Sequence, residues 1–320
     1  MPARPAGDHE AVAGGCRVNG ILNVNKEPGY TSNDVIAILR GILRIKKIGH
    51  TGTLDPDASG GLPVCLGRAT KAAELLTGSQ KQYEAALIFG QETDTQDLSG
   101  HVTRQVSYDF CRERFMQAVE ELTGDIWQVP PMYSAIKVGG VRLYDLAREG
   151  IEVERKPRQI RIEEIQVLAL DEKGARIRVT CSKGTYIRTL CEDIGRKTGW
   201  LACMSSLCRL RSGPFTLEDS LTLDQIRMLK DRGKLEERIL SVDRIFAKYE
   251  EIQIEEAQEK RLQNGNTLLL PAESVIGERI RVYNSQGHFT ALYQVSEVLE
   301  DGNREDVLEG VMKDGKNAME

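Results

Sequence analysis

Residues 46–71 have the sequence KKIGHTGTLDPDASGGLPVCLGRATK. The stretch holds five glycines and two prolines. Glycine permits backbone conformations with positive φ and lets a ligand approach the chain closely. Pro56 fixes the chain immediately after Asp55 and biases that residue away from helical angles. We therefore expect Asp55 to lie on a stiff loop, although Asp-Pro also begins many ordinary surface turns.

A longer pattern surrounds Asp55. It begins with Gly49-His50-Thr51-Gly52-Thr53-Leu54-Asp55-Pro56 and continues with Ala58, Gly60, Leu62-Pro63, Leu66-Gly67 and Ala69-Thr70-Lys71. This pattern resembles the signature of the tRNA pseudouridine synthase B family, and it is far more specific than a lone glycine motif. The resemblance extends from about Gly20 to Arg211 and continues more weakly toward the C-terminus. We therefore interpret Asp55 as a functional residue and not as a simple turn residue.

The resemblance implies an α+β chain with the pseudouridine synthase fold. In this fold a mixed, largely antiparallel sheet is flanked by helices, and the active cleft crosses the sheet. A small C-terminal β-barrel of the PUA-like kind is expected to follow. The predicted boundaries are 1–19 for a disordered head, 20–245 for the catalytic domain, 246–312 for the barrel and 313–320 for a tail.

Hydrophobic periodicity and turn residues predict the main elements. Thr31 and Ser32 are candidate N-caps of a helix that ends near residue 43. Another helix is predicted over 186–198 and ends at Gly199. The remaining predictions are helices at 70–76 and 115–122, and strands at 20–25, 83–89, 160–170, 175–182, 207–213, 268–270, 279–283 and 289–295.

The composition excludes several classes of protein. No apolar run approaches the roughly 20 residues that a membrane span requires, and residues 1–19 lack the apolar core of a signal peptide. The seven cysteines include no CxxC pair, and the four histidines are scattered. This usage is typical of a reduced cytoplasmic protein with neither a disulfide framework nor a metal centre.

The net charge of −5 conceals a basic middle region. Residues 130–215 carry 16 Lys and Arg against 10 Asp and Glu, a net charge of +6. Residues 216–320 carry 14 against 22, a net charge of −8. A basic patch is the usual electrostatic footprint of a protein that binds phosphate backbones, although a solvated face of mixed charge gives the same counts.

Pseudouridine formation breaks the N1–C1′ bond of uridine, turns the uracil and rejoins it through C5, so it requires no cofactor. By resemblance, the essential carboxylate is Asp55. It must stay ionised when the substrate excludes water, and a nearby guanidinium favours the ionised form. The stretch Cys181-Ser-Lys-Gly-Thr-Tyr-Ile-Arg188 resembles a second family motif, which assigns that guanidinium to Arg188. Whether Asp55 attacks C1′, attacks C6 or abstracts a sugar proton is left open.

Other positions are expected, by resemblance, to bind the target uridine. Tyr83, in Lys81-Gln82-Tyr83, is expected to stack on the uracil and is a candidate for handling the C5 proton. Asp97 is expected to form hydrogen bonds in the pocket, and Tyr186 is expected to contact the substrate. Leu210 matches the apolar wall under the base.

The target base lies inside a folded RNA loop and must be flipped out of its stack. His50 resembles the family's wedge, which fills the vacated position. Lys26 and Lys71 match family lysines near the pocket, and either could contact only a phosphate.

Residues 130–148 resemble a mobile arm that folds over the tRNA. Pro130-Pro131 is extended, and Gly139-Gly140 indicates a flexible hairpin. Lys137, Arg142 and Arg148 are expected to meet phosphates, which would make RNA binding sensitive to salt.

The sequence therefore predicts a tRNA pseudouridine synthase that acts on uridine 55 of the T loop, as a cytoplasmic monomer that needs tRNA and no protein partner. One alternative is a guide-RNA-dependent relative acting on ribosomal RNA, although the chain lacks long lysine-rich tails. A second is a tRNA-folding chaperone whose catalysis is secondary. A third is a metabolic enzyme unrelated to RNA, against which the lack of nucleotide and metal motifs argues.

Overall fold

A computed structural model describes residues 19–264, 276–300 and 303–313. The strands are β1 (Gly20–Lys26), β2 (Ile48–His50), β3 (Ser59–Leu66), β4 (Lys81–Phe89), β5 (Gln91–Thr93), β6 (Val102–Gln105), β7 (Gly124–Gln128), β8 (Lys137–Val138), β9 (Val141–Arg142), β10 (Arg158–Leu170), β11 (Gly174–Cys181), β12 (Ala202–Ser212), β13 (Phe215–Thr216), β14 (Glu250–Gln253), β15 (Arg279–Tyr283), β16 (Phe289–Glu300) and β17 (Asn303–Lys313). The helices are α1 (Ser32–Leu43), α2 (Ala73–Thr77), α3 (Arg112–Glu121), α4 (Leu143–Arg148), α5 (Ile187–Thr198), α6 (Leu223–Asp231), α7 (Val242–Ile245) and α8 (Glu256–Gln263), and 3₁₀ turns cover Gly67–Ala72 and Glu236–Arg238.

The main sheet is mixed and largely antiparallel. Its order is β1-β3-β12-β4-β11-β10-β7, with β2 paired to β3 and β13 paired to β12. The parallel contact joins β3 to β12 at Ser59–Gly60 and Cys208–Arg209. The predicted mixed sheet with flanking helices is confirmed, and the parallel contact brings the end of the Asp55 loop to the centre of the sheet.

The stretch around Asp55 is more regular than the sequence predicted. Two strands, β2 and β3, flank a loop that spans only 51–58. Gly60 has a φ of 113°, and a Cβ atom there would lie 2.3 Å from the backbone oxygen of Arg209. Pro63 lies between the residues of β3 that pair with β12 and those that pair with β2. Glycine and proline normally weaken a strand prediction, which explains why β3 was not predicted.

Two hydrophobic clusters hold the helices on the sheet. The larger joins α3 and α5 to β4, β10 and β11, and the second joins α1 and α6 to β1 and β3. Thr31 forms a capping box with Asp34 at the start of α1, as its position as a candidate N-cap predicts. None of the helices that the structure describes has both the length and the apolar character that a membrane crossing needs.

The C-terminal region forms a four-stranded sheet in the order β14-β15-β16-β17. The strands predicted at 279–283 and 289–295 are present, and the second continues to Glu300. The strand predicted at 268–270 lies outside the described residues. Within the described ranges the sheet is open, so the predicted closed barrel is not found. Phe246 and Leu292 pack with Ala72 and join this sheet to the part of the chain that carries the main sheet.

Candidate active site

A cavity of about 250 Å³ crosses the middle of the main sheet. The Asp55 loop forms one wall, and residues 183–188 at the start of α5 form another. Side chains from β4 and β12 form the floor, and residues 133–135 of the arm close one side. This cavity is called the Asp55 cleft below. It joins five segments that are far apart in the sequence.

Asp55 and Arg188 form an ion pair in this cleft. Arg188 Nε lies 2.9 Å from Asp55 Oδ2, and Arg188 Nη2 donates to Asp55 Oδ1 at 3.2 Å. The remaining donors are also used: Nη2 bonds the carbonyl of Tyr133 at 2.8 Å, and Nη1 bonds the carbonyl of Thr95 at 2.9 Å. The Arg188 side chain is 6% exposed and the Asp55 side chain 35%. The buried guanidinium therefore holds a carboxylate that still faces the open cleft.

Asp97 lies behind Arg188 and does not line the cleft. Its Oδ2 is 3.8 Å from Arg188 Nε. Its Oδ1 accepts hydrogen bonds from Thr95 Oγ1 at 2.7 Å and from the backbone N–H of Ser99 at 3.0 Å. This geometry suits a carboxylate that orients Arg188, whereas the sequence predicted a contact in the pocket.

Three tyrosines line the cleft: Tyr83, Tyr186 and Tyr133, the last of which lies at the base of the arm. Tyr83, on β4, is 7% exposed, and burial raises the pKa of its phenol, an effect that the charge of Arg209 partly offsets. Tyr186 precedes α5, and its backbone is fixed by Gln128, whose amide donates to the Tyr186 carbonyl and accepts from its N–H. Burial also raises the pKa of Tyr186. Both phenols are therefore neutral at pH 7, and their rings offer faces for an unpaired base.

On β12 the apolar side chain that lines the cleft is Leu207. Leu207 and Arg209 line the cleft, whereas Leu210 is half-buried and does not. Leu210 lies between Arg209 and Arg211, where the register of β12 with β4 shifts. The role of Leu210 as the wall under the base stays a prediction.

Lys26 is fully buried and does not line the cleft. Its Nζ donates to the carbonyls of Pro56 at 2.8 Å and Glu27 at 3.0 Å, and burial lowers its pKa to about 8. Lys26 therefore fixes the turn that follows Asp55, and its contact with the substrate stays a prediction.

Lys71 and His50 are also outside the cleft lining. Lys71 is exposed on a 3₁₀ turn. His50 ends β2 and is half-buried, and burial lowers its pKa, so the ring is neutral at pH 7. The roles of Lys71 as a phosphate contact and of His50 as a wedge stay predictions.

The arm, residues 130–148, rises beside the cleft. Lys137 and Arg142 are exposed and face each other across the β8–β9 hairpin. The base of the arm supplies Tyr133, whose carbonyl accepts from Arg188. The segment predicted to cover the RNA is therefore joined directly to the ion pair.

Two cationic residues of the cleft were assigned no role from the sequence. Lys81 is 7% exposed, its Nζ donates to the carbonyls of Thr77 and Ser79, and burial lowers its pKa to about 8. Arg209 is 1% exposed. Arg209 shares a strand face with Leu207, and a charged residue at an inward position is the sequence signal that could have identified it.

A larger cavity of about 560 Å³ lies between the arm and α5. Its walls carry the carboxylates of Glu92, Asp94, Glu152, Glu192 and Asp193 against the guanidinium groups of Arg155 and Arg196. This balance of charge does not suit a phosphate backbone, so the smaller Asp55 cleft is the better candidate for the active site.

Two family models match the chain. The TruB family pseudouridylate synthase N-terminal domain matches residues 40–187, and the tRNA pseudouridylate synthase B C-terminal domain matches residues 188–247. The chain belongs to the TruB family of pseudouridylate synthases. Both the Asp55 loop and Tyr83 lie in the first match, and the second begins at Arg188.

Curated relatives support membership of the TruB family over most of the chain. A tRNA pseudouridine synthase B from Bacillus pumilus is 42% identical over 286 residues, which cover 86% of this chain and 93% of that protein. A tRNA pseudouridine synthase B from Lachnoclostridium phytofermentans is 45% identical over 295 residues, which cover 88% and 96%.

Solved structures share the fold of this TruB-family chain. A Cbf5-Nop10-Gar1 complex contains a chain with a TM-score of 0.69 and 26% identity, covering 92% of this chain and 84% of that one. A chain of an H/ACA RNP bound to a substrate RNA containing 2′-deoxyuridine has a TM-score of 0.68 with 24% identity, covering 92% and 84%.

Proposed function

We propose that the protein isomerises uridine to pseudouridine in tRNA, at uridine 55 of the T loop, with Asp55 as the catalytic nucleophile or base. The observation that carries this proposal is the Asp55–Arg188 ion pair inside a cleft that also holds Tyr83 and Tyr186. Relatives named tRNA pseudouridine synthase B support the choice of tRNA.

In the proposed reaction the uridine is flipped into the Asp55 cleft and stacks on Tyr83. Arg188 holds the Asp55 carboxylate in place through contacts to both of its oxygens after the RNA has excluded water. The N1–C1′ bond breaks, the uracil turns, and C5 bonds to C1′ while the C5 proton leaves and N1 gains a proton. No electrons and no groups are lost, so the reaction needs no cofactor. Tyr83, whose phenol is neutral at pH 7, lies at the floor where the base turns.

Recognition of the RNA is assigned to the exposed cations of the arm. Lys137 and Arg142 are positioned to meet the backbone of the T arm, and the basic region 130–215 extends the same field. His50 is proposed to fill the vacated stack. The four-stranded C-terminal sheet is proposed to be a PUA-like module that contacts the tRNA away from the cleft. We propose that the protein acts as a monomer in the cytoplasm.

The test is to incubate the purified protein with an unmodified tRNA transcript and to map pseudouridine at nucleotide resolution. We expect pseudouridine at position 55 and none in a transcript that carries cytidine there. Asp55→Asn should leave position 55 unmodified. If the wild type leaves this uridine unchanged, the proposed function is wrong.

The same assay distinguishes the proposed stand-alone enzyme from the guide-RNA-dependent alternative. Structural neighbours occur in complexes with Nop10 and Gar1, and one is bound to a substrate RNA. A guide-dependent enzyme would leave the bare transcript unmodified and act only when a guide RNA and partner proteins are added. We expect full modification without either.

A further inference from the structure

Arg209 links the two sides of the Asp55 loop through hydrogen bonds to backbone carbonyls. It lies on β12 directly opposite Tyr83 of β4. Its Nε donates to the carbonyl of Gly61 at 2.8 Å, and its Nη2 donates to the carbonyl of Gly52 at 3.2 Å. Gly52 precedes Asp55 and Gly61 follows it, so one guanidinium fixes the backbone on both sides of the carboxylate.

The third nitrogen of Arg209 is not used in this way. Nη1 is buried and forms no hydrogen bond in the described part of the chain, although the Arg209 guanidinium interacts with the Tyr83 phenol, whose pKa burial raises and this interaction partly lowers. It lies 3.5 Å from the position that a Cβ atom would occupy at Gly52, and both Gly52 and Arg209 line the cleft. A buried N–H of a charged group is costly to leave unpaired, so this donor indicates a ligand that arrives with the substrate.

The surroundings of Nη1 favour a ligand that carries negative charge. The charge of Arg209 helps to lower the pKa values of Lys26, His50 and Lys81, although burial is the larger cause for each. The cleft floor is therefore electropositive, while Asp55, the nearest cleft carboxylate, is already paired with Arg188. An oxygen that becomes anionic during the reaction would be stabilised there.

Each route open to Asp55 creates such an oxygen on the uracil. If the N1–C1′ bond breaks by attack at C1′ or after loss of a sugar proton, its electron pair leaves with the base and is shared with the carbonyl oxygens. If Asp55 adds to C6, the electron pair of the C5–C6 bond moves toward the carbonyl at C4. In every case the charge is discharged when C5 bonds to C1′. Any bond that Asp55 formed to C1′ or C6 is broken, or any sugar proton that it took is returned, and the loss of the C5 proton is balanced by protonation of N1.

We propose that Arg209 is a catalytic residue, which donates from Nη1 to a carbonyl oxygen of the target uracil and stabilises the negative charge that develops on it. The inference rests on the proposed function. Nε and Nη2 keep the Asp55 loop in place at the same time, so Arg209 positions the carboxylate and receives the charge of the base.

The test compares Arg209→Lys with the wild type on three tRNA substrates, which carry uridine, 2-thiouridine or 4-thiouridine at the target position. Sulfur accepts hydrogen bonds poorly. A thio substitution at the carbonyl that Nη1 contacts therefore weakens this hydrogen bond in the wild type already, and Arg209→Lys then has less left to remove. We expect Arg209→Lys to slow single turnover on uridine by about 10²–10³-fold. The loss of rate caused by Arg209→Lys, measured against the wild type on the same substrate, should be about 10-fold or less for one thio substrate. For the other thio substrate it should equal the loss on uridine.

Gly52→Ala tests the contact between Nη1 and the uracil while keeping the hydrogen bonds of Nε and Nη2 to the loop. The new methyl group would lie in ordinary contact with Nη1, at 3.5 Å, and would cover it from the cleft. We expect the same dependence on one thio substrate, with an unfolding midpoint within about 2 °C of the wild type. Gly49→Ala is the matched control, because its methyl group would come no closer than 3.9 Å to Thr70 and lies outside the cleft lining. It should change the rate less than 2-fold.

Equal losses on all three substrates would overturn the inference, since they would mean that Arg209 only holds the loop or the Tyr83 phenol. Wild-type rates in Gly52→Ala would overturn it as well. Either result would leave the proposed function intact, because the wild type would still form pseudouridine. If the wild type forms no pseudouridine on the uridine substrate, the proposed function itself is wrong.

Discussion

The Asp55 cleft and the arm place their charges in opposite ways. In the cleft, the cations Lys81, Arg188 and Arg209 are buried, and each donates to two or more backbone carbonyls or carboxylate oxygens. In the arm, Lys137 and Arg142 are exposed on a hairpin with two residues in each strand. The arm is also separated from α5 by the cavity of about 560 Å³.

This difference assigns different tasks to the two regions. The cleft is assembled before the substrate arrives, since backbone carbonyls and the Asp55–Arg188 pair already satisfy its charged groups, apart from Nη1 of Arg209. The arm has few buried contacts and lies at the low-stability end of the fold, so the RNA is expected to order it. Variants of the cleft should therefore change the rate of the bound complex, and variants of the arm should change affinity.

The largest expected effect comes from Asp55→Asn, which keeps the shape of the side chain and removes its charge. Single turnover at saturating tRNA should fall by on the order of 10⁴-fold or more, because the reacting group is lost. The dissociation constant for tRNA should change by less than about 3-fold. Asp57→Asn is the matched control, since Asp57 is exposed and outside the cleft lining, and it should keep the wild-type rate.

A smaller loss of rate is expected from Asp97→Asn, because Asp97 touches Arg188 and not the cleft. Weaker orientation of the guanidinium should slow single turnover by about 10-fold with little change in affinity. Asp94→Asn gives the comparison, since Asp94 accepts a hydrogen bond from the backbone of His101 and does not contact Arg188. It should lower the unfolding temperature and leave the rate unchanged. Equal losses of rate in Asp97→Asn and Asp94→Asn would contradict the role of Asp97 in orienting Arg188.

The arm is tested by replacing Lys137 and Arg142 together with Gln. We expect about 5-fold weaker tRNA binding near 0.15 M salt, and a slope of log K against log salt that is reduced by between 1 and 2. The single-turnover rate at saturating tRNA should stay within 2-fold. The exposed pair Arg232 and Lys234, replaced in the same way, should change neither quantity. If the arm variant keeps the wild-type salt slope, these cations do not meet phosphates.

The smallest expected effect concerns Asp193, which lines the cavity beneath the arm. Burial, helped by the nearby Glu192, raises the pKa of Asp193 to about 6. A carboxyl whose pKa is higher in the folded state does not change the free energy of unfolding below its unfolded pKa, which is near 4. It lowers that free energy as pH rises from 4 to 6, and the full loss of stability is present above pH 6. Asp193→Asn should therefore raise the free energy of unfolding by about 1–2 kcal/mol at pH 8 and leave it unchanged at pH 3.5.

Urea unfolding at these two pH values measures the effect of Asp193→Asn. The exposed Glu120, replaced by Gln, is the control and should change stability by less than about 0.5 kcal/mol at both. Equal stabilisation at pH 3.5 and pH 8 would show that ionisation is not the cause.

Local patterns in the sequence predicted about half of the elements but not their crossings. Alternation in β4 and β11, and capping at Thr31 and Gly199, correspond to the observed strands and helices. β3 was missed because Gly60 and Pro63 serve a close crossing with β12, which only tertiary structure reveals.

The candidate site shows the same limit of prediction. Motifs identified Asp55, Tyr83 and Arg188, which the fold brings to one cleft. They did not predict that Lys26 is buried beneath the Asp55 loop or that Leu207 lines the cleft, because burial depends on neighbours distant in the chain.

The most direct test is a double-mutant cycle with Asp55→Asn, Arg188→Met and the combined variant, measured by single turnover at saturating tRNA. Since Arg188 acts through the carboxylate that it holds, the account predicts that the combined variant is no slower than Asp55→Asn alone, while all three retain tRNA binding. Losses that multiply in the combined variant would contradict it, because the two side chains would then act independently.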